Sequence, residues 1–349
     1  TEIYTLSLHD ALPIFFINLV IFATSSNLGL LPMKNFPGFH YSMLLYTLLI
    51  CIDFQAQTNR YIPVNFTSKH LKAEFLQYLA KNYSSHAHDI LSRKHFDFYT
   101  QWAKGSSHYQ VLSSFALVVH ETCHAVNHDI GGFWNQGYYI SPSIQINVPK
   151  SKVFKTNVID RGIPEDWKKR IFRYNAYIRG LGDDDEVSSI ALGIYGLLDE
   201  YVAYYQSTKA VVELYGYYQS IAPNNNPYYL TLYLSNCQST IYAFYEFRLF
   251  ISWYLKHARL NHPEVYQSII KNKSLKAVFS LTTTGYQHVV DQYFRNRRTI
   301  IQEINNLPGK KAEITGNYLY ITQTGKSGKR KTAYGIPDAE IAFLQSLFS

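Results

Sequence analysis

Apolar residues recur three and four positions apart through most of the chain after residue 57, and this spacing predicts a mainly helical protein. Ser68 is placed to cap the first predicted helix, and the pair Gly131-Gly132 to end the second. Pro164 opens the third, with two acidic residues in its first turn. The predicted helices cover approximately residues 70–83, 111–127, 164–178, 187–220, 228–258 and 287–305.

Two segments have a different pattern and are expected to be extended. Residues 137–154 are rich in β-branched and aromatic side chains, which favours strands. After Pro308-Gly309, the alternating segments 312–323 and 330–336 predict a β-hairpin, and the apolar run after Asp338 predicts a short closing helix. The fold class expected is therefore α+β and mainly helical, with one domain over residues 57–305 and a C-terminal hairpin and helix over 306–349.

The first 56 residues are expected not to belong to the folded protein. Residues 1–14, TEIYTLSLHDALPI, match the in-frame translation of a common sequencing-library adapter, so residues 1–32 are interpreted as an artefact of read-through. From Met33 the order is a positive Lys34, an apolar run over residues 43–52 and the small residue Ala56. That order is typical of a signal peptide over residues 33–56, which predicts a protein secreted, periplasmic or at the cell surface.

Composition narrows the class of protein further. The chain has 349 residues, of which 47% are hydrophobic, and this excludes wholesale disorder. Three cysteines exclude a disulfide-stapled scaffold. Apart from the net charge of +8, nothing in the sequence indicates nucleic-acid recognition, so no nucleic-acid partner is expected. No uncharged apolar run of membrane-spanning length follows residue 60, so no stable membrane insertion is expected after signal cleavage. The oligomeric state stays open.

The segment His120-Glu121-Thr122-Cys123-His124 carries the candidate chemistry. Residues four apart lie on one face of a helix, about 6 Å apart along its axis, so the two imidazoles can bind one metal ion. Glu121 is one position further round the helix, where it can hold a water molecule beside that ion. The preceding segment is apolar, and a buried pair of histidines beside a glutamate indicates a function. Cys123 is expected to be a core residue.

A third ligand is expected from a separate helix. Asp199 and Glu200 form an acidic pair in a stretch otherwise nearly free of charge. With the HExxH segment, this pair resembles the zincin superfamily of metallopeptidases, of the gluzincin type. The resemblance implies Zn²⁺ bound by His120, His124 and Glu200, with Asp199 orienting a ligating histidine.

Two further observations bear on this ligand set. The small residue Ala203 would let the two helices pack closely. His128 is a weaker alternative as the third ligand. It lies a third turn along the same helix, which is too far to share the ion on a straight helix.

The same resemblance implies a tyrosine or histidine that donates a hydrogen bond to the oxyanion. Tyr195 and Tyr204, on either side of Glu200 in the sequence, are the catalytic candidates beside Glu121, and Tyr138 and Tyr139 are alternatives.

The resulting expectation is an exported zinc metallopeptidase acting on a peptide or protein substrate, with Glu121 as the general base. Two alternatives stay open. One is a catalytically inactive surface binding protein on the same scaffold, and the other is a zinc hydrolase of a non-peptide substrate.

Overall fold

The computed structural model describes residues 65–180, 188–222, 227–316, 318–325, 328–335 and 338–347. Within these ranges the protein is mainly helical, with a small antiparallel sheet near the C-terminus, as predicted. The predicted artefact at residues 1–32 and the predicted signal peptide at residues 33–56 lie outside the described residues.

The helices and strands follow one another along the described ranges with short connections. The helices are α1 (Lys69–Tyr83), α2 (Ser85–Ser92), α3 (Phe96–Thr100), α4 (His108–Ser113), α5 (Phe115–Gly131), α6 (Glu165–Arg170), α7 (Ser188–Ala191), α8 (Ile194–Glu213), α9 (Tyr215–Ile221), α10 (Tyr228–Asn261), α11 (Pro263–Lys271), α12 (Lys273–Asn305) and α13 (Asp338–Ser346). The strands are β1 (Asn135–Ser141), β2 (Ile144–Pro149), β3 (Lys310–Thr315), β4 (Tyr318–Gly325) and β5 (Gly328–Gly335).

Several boundaries confirm the signals in the sequence. The Ser68 hydroxyl accepts a hydrogen bond from the Leu71 backbone N–H at 3.2 Å, which caps α1. Helix α5 ends at Gly131, and the backbone N–H of Gly132 donates to the His128 carbonyl. Strands β1 and β2 form the extended segment predicted for residues 137–154, as an antiparallel hairpin in which Asn135 is opposite Pro149.

The helix predicted over residues 187–220 is broken, and its break has a tertiary cause. Gly193 separates α7 from α8 with a φ of +55°, and a Cβ there would lie 2.4 Å from the Phe154 carbonyl oxygen. The helix predicted over residues 164–178 is also shorter. Its chain leaves α6 at Arg170, and the Arg173 backbone N–H then donates to the Glu246 carboxylate at 3.1 Å. Both partners come from distant parts of the chain, so periodicity alone did not reveal them.

Near the C-terminus the structure has one strand more than predicted. The segment predicted as a single strand turns at Gly316 and forms both β3 and β4, and β5 completes the order β3-β4-β5. The last long helix begins at Lys273, well before the expected residue 287. The domain division between residues 305 and 306 stays a prediction.

Helix α8 lies at the centre of the core, where it packs against α5, α10 and α12. Much of this core is aromatic, and several of its buried tyrosines form hydrogen bonds within the protein through their hydroxyl groups. The Tyr233 hydroxyl, for example, donates to the Val212 carbonyl at 3.1 Å and accepts from Asn296 at 2.7 Å. The high tyrosine content is therefore used largely for packing.

Strand β1 touches the backbone of α5, and this contact gives the first prediction. A Cβ on Gly137 would lie 2.3 Å from the Asn127 carbonyl oxygen and 2.3 Å from the Gly131 nitrogen. Gly137→Ala should therefore lower the free energy of unfolding by about 1–3 kcal/mol, measured by urea denaturation. Gly162→Ala is the control, because a Cβ at Gly162 meets no atom within 4 Å. Equal losses for the two variants would contradict the prediction.

Candidate metal centre

Three predicted ligands from two helices converge on one point. His120 and His124 lie one turn apart on α5, and their Nε2 atoms are 3.1 Å from each other. The Glu200 Oε2 atom, on α8, is 3.3 Å from His120 Nε2 and 3.5 Å from His124 Nε2. All three side chains are largely shielded from solvent. This group could hold a metal ion.

The separations match those of ligands on a tetrahedral ion. Two ligand atoms about 2.0–2.1 Å from zinc lie about 3.3 Å apart at the tetrahedral angle. The observed separations of 3.1, 3.3 and 3.5 Å fall around that value. The buried Glu200 Oε2 atom also has no hydrogen-bond donor among the described residues. A bound cation would satisfy this oxygen, so the residues fit a metal.

The electrostatics of the group favour an ionised Glu200. Burial alone would raise the pKa of Glu200, but the neighbouring His124 and His120 hold that pKa below its usual range. Burial likewise opposes a charge on His124, yet Asp199 and Glu200 raise the pKa of His124 well above its usual value. The pair of acids therefore gives this part of the core a negative potential that attracts a cation.

A chain of hydrogen bonds fixes the orientation of His124. The Asp199 Oδ2 atom lies 2.7 Å from His124 Nδ1, which turns Nε2 of the same ring toward Glu200. The Asn127 amide donates to the other Asp199 oxygen at 2.8 Å and accepts from the Tyr139 backbone N–H at 2.7 Å. Carboxylates behind metal-binding histidines have this orienting role in general. The structure thus brings Asp199 to the position expected from the sequence.

Tyr204 lies beside the first histidine, one turn after Glu200. Its ring centre is 4.4 Å from that of His120. Its hydroxyl is 3.1 Å from the Tyr177 hydroxyl, which comes from a single π-helical turn at Asn175–Arg179. Two phenol groups from different elements therefore meet next to the metal-binding group.

A buried ion pair supports Tyr204 from behind. The Arg173 guanidinium carbon is 4.3 Å from the centre of the Tyr204 ring. Arg173 donates to the Glu246 carboxylate at 2.7 Å and to the Ser239 carbonyl, and the side chains of Arg173 and Glu246 are 5% and 1% exposed. At this burial, the pair interacts strongly because little water screens it.

The other residues predicted from the sequence differ in their exposure and hydrogen bonding. Glu121 follows His120 on α5 and is partly exposed, and no described residue hydrogen-bonds its carboxylate. The Tyr195 hydroxyl accepts from the Ser151 backbone N–H at 2.9 Å and lies 3.3 Å from the Pro149 carbonyl, so its polar contacts are with the end of β2. Cys123 is fully buried, and burial raises the pKa of its thiol well above the usual value. His128 is exposed at the end of α5.

Sequence reasoning missed Asn127, Tyr177 and the pair Arg173–Glu246. A signal existed for Asn127, which lies three residues after His124 and so on the same helical face. The other three carry no local signal, because tyrosines are abundant in this chain and the ion pair joins residues far apart in sequence.

Comparison of the chain with protein-family models, with curated proteins and with solved structures finds no match in any of the three. The chemistry of the site must therefore be inferred from the residues and their geometry.

The hydrogen bond from His124 to Asp199 predicts a loss of metal affinity when the carboxylate is replaced. In Asp199→Asn, the amide can accept from only one of its two neighbours, His124 Nδ1 and the Asn127 amide. We expect Zn²⁺ to bind about 10- to 100-fold more weakly, measured by competition with a chromophoric chelator.

Asp129→Asn is the matched control, since Asp129 is an exposed carboxylate at the end of the same helix. Its Zn²⁺ affinity should equal that of the parent. An Asp199→Asn variant with unchanged affinity would show that this carboxylate does not orient a ligand.

Proposed function

We propose that this protein is a zinc-dependent hydrolase, and specifically a metallopeptidase of the gluzincin type. The observation that carries the proposal is the convergence of His120, His124 and Glu200 at the spacing of tetrahedral zinc ligands. Zinc sites in hydrolases commonly have three protein ligands and one open position. Peptides or proteins as substrates, and export of the chain, come from the resemblance and from the N-terminal pattern.

The donor set favours zinc over magnesium and calcium. Two imidazole nitrogens and one carboxylate oxygen suit Zn²⁺, whereas Mg²⁺ and Ca²⁺ prefer oxygen ligands alone. Bound zinc supplies a Lewis acid, which polarises a carbonyl group and lowers the pKa of a water molecule. The rest of the chemistry belongs to side chains of this chain.

Glu121 is the proposed general base. It follows His120 directly, and its carboxylate is partly exposed and free of hydrogen bonds from described residues. A carboxylate in that state can accept a proton from water and later give it to the leaving amine.

Tyr204 is the better placed of the two tyrosine candidates to donate a hydrogen bond to the oxyanion. Its ring packs on His120, whereas the Tyr195 hydroxyl is engaged with Ser151 and Pro149. Tyr195 is also five residues before Glu200, which places it about 140° away round an α-helix, while Tyr204 is about 40° away. The positive charge of Arg173 beside Tyr204 adds to the field that favours an oxyanion there.

The zinc content of the purified full chain tests the ligand set. The metal-stripped and reloaded parent should hold about one zinc ion per chain. Glu200→Ala removes one of three ligands and should reduce the zinc content sharply, measured by mass spectrometry of the metal after dialysis. Glu165→Ala is the control, because Glu165 is exposed and far along the chain from the site. Full zinc content in Glu200→Ala would place the third ligand elsewhere.

Glu121→Gln separates metal binding from catalysis. The substitution keeps the shape of the side chain but removes its ability to accept a proton, so hydrolysis of a protein or fluorogenic peptide substrate should fall about 10²- to 10⁴-fold. The zinc content should stay at the parental value. Near-parental turnover in this variant would reject Glu121 as the base.

The parent protein alone distinguishes the alternatives. Zinc binding without hydrolysis of any peptide would favour a non-peptide hydrolase or a binding protein. A folded parent that binds no zinc would reject the proposal.

A further inference from the structure

Two aromatic side chains protrude from the end of the metal-binding helix. Phe133 is 83% exposed and Trp134 is 80% exposed, and their ring centres lie 4.8 Å apart in an edge-to-face arrangement. We call this pair the aromatic tip. Among the described residues, no large apolar side chain is more exposed than these two. Neighbouring exposed aromatics of this kind mark an interaction site more often than isolated ones do.

The tip is held by ordered structure on both sides. Gly132 ends α5 just before it, and the pairing of β1 with β2 begins just after it, where Asn135 is opposite Pro149. The Asn147 amide on β2 also donates to the Ile130 carbonyl at 3.1 Å, which ties the hairpin to the last turn of α5. The two rings are therefore presented on a short connection between anchored elements.

The sequence that follows the tip is basic, and the acidic Asp129 before the tip is paired with Lys94. From residue 130 to residue 159 the sequence contains no aspartate or glutamate, but it contains three lysines. Lys150 and Lys152 are exposed, and Lys150 directly follows the residue paired with Asn135. Trp134 and Lys150 therefore lie just beyond the same end of the hairpin, one on each strand.

We propose that the aromatic tip binds the surface of an anionic lipid bilayer. Tryptophan at a membrane interface places its apolar ring among the lipids and its N–H in the headgroup region. Nearby lysines are attracted to acidic headgroups, and their long side chains can lie along the apolar surface. The tip combines these features.

A protein partner fits the same surface less well. Lysine is depleted in protein–protein interfaces, and such interfaces need a well-packed apolar centre. Here the aromatic pair is 80% or more exposed, and its neighbours in the sequence are Gly132 and Asn135. No helix within the described ranges is long and apolar enough to cross a membrane.

Membrane binding in this orientation would set the position of the metal-binding group. His124 precedes Gly131 by seven residues, which is about 10 Å along a helix. Along α5, His124 would then lie about two helical turns from the tip end of the helix, and His120 about three turns. The inference does not depend on the proposed hydrolysis, since it rests on the tip alone.

Tryptophan fluorescence provides a local test in the full chain. Among the four tryptophans, Trp134 is exposed, while Trp102, Trp167 and Trp253 are partly buried, and residues 1–64 contain no tryptophan. We expect vesicles of phosphatidylglycerol and phosphatidylcholine to shift the emission to shorter wavelength and to make it accessible to quenching by brominated lipid. Unshifted and unquenched emission at saturating lipid would overturn the proposal.

Variants then identify the residues responsible. Phe133→Ser with Trp134→Ser should reduce partitioning onto the anionic vesicles about tenfold or more, measured by co-sedimentation. Phe172→Ser is the control, because Phe172 is also an exposed aromatic, at 74%, but lies outside the tip. Undiminished partitioning of the double variant, or an equal loss in Phe172→Ser, would overturn the proposal.

Charge and self-association complete the test. Lys150→Glu with Lys152→Glu should weaken binding to the anionic vesicles, and so should vesicles of phosphatidylcholine alone. High salt should reduce the difference between the parent and the charge variant.

Sedimentation of the protein without lipid tests whether a second copy of this chain binds the aromatic tip instead. Dimerisation of the parent that is abolished by the double serine variant would replace the lipid surface by a self-association surface and overturn the proposal.

Discussion

The candidate site depends on the packing of α5 against α8. Neither helix carries a complete metal-binding group, because α5 supplies two imidazoles and α8 supplies the carboxylates. Ala203, about one turn after Glu200 on α8, is fully buried, and its small side chain is compatible with close helix packing. The approach brings two acids and two histidines together with little water, and the negative charge of the acids then favours binding of a cation. A small change in the distance between these helices would alter both separations between Glu200 and the histidines.

The Tyr204 ring lies between the metal-binding group and the buried ion pair of Arg173 and Glu246. Burial of Arg173 and Glu246 has a large desolvation cost, which the bidentate contact with the side chain and backbone of Arg173 offsets. The same contact diverts the chain after α6 away from a helix and leads it to the π-helical turn that carries Tyr177. One ion pair therefore shapes the local backbone, supports the Tyr204 ring and brings Tyr177 beside it.

The parts of the fold and site that sequence could predict are those set by local spacing. The two histidines are four residues apart, so any helix at that position places them together, and an acidic pair in an apolar stretch makes Glu200 and Asp199 conspicuous. Helix capping by Ser68 and the end of α5 at Gly131 are equally local. The break at Gly193, the path through Arg173 and the meeting of Tyr177 with Tyr204 depend on contacts between distant segments, which no window of sequence contains. Asn127 lies between these cases, because its helical face was predictable but its bond to Tyr139 was not.

The hairpin of β1 and β2 links the metal-binding group to the surface of the molecule. Asn127 joins Asp199 to the backbone of β1 at Tyr139, and Asn147 joins β2 to the last turn of α5. Close contact at Gly137 leaves no space between the strand and the helix. The hairpin therefore supports α5 along its C-terminal half, from the orienting hydrogen bonds of His124 to the aromatic tip at Phe133 and Trp134. Because these contacts join α5 to both strands of the hairpin, the tip and the metal-binding group form parts of one packed unit, and a surface that binds the tip also fixes the orientation of the site.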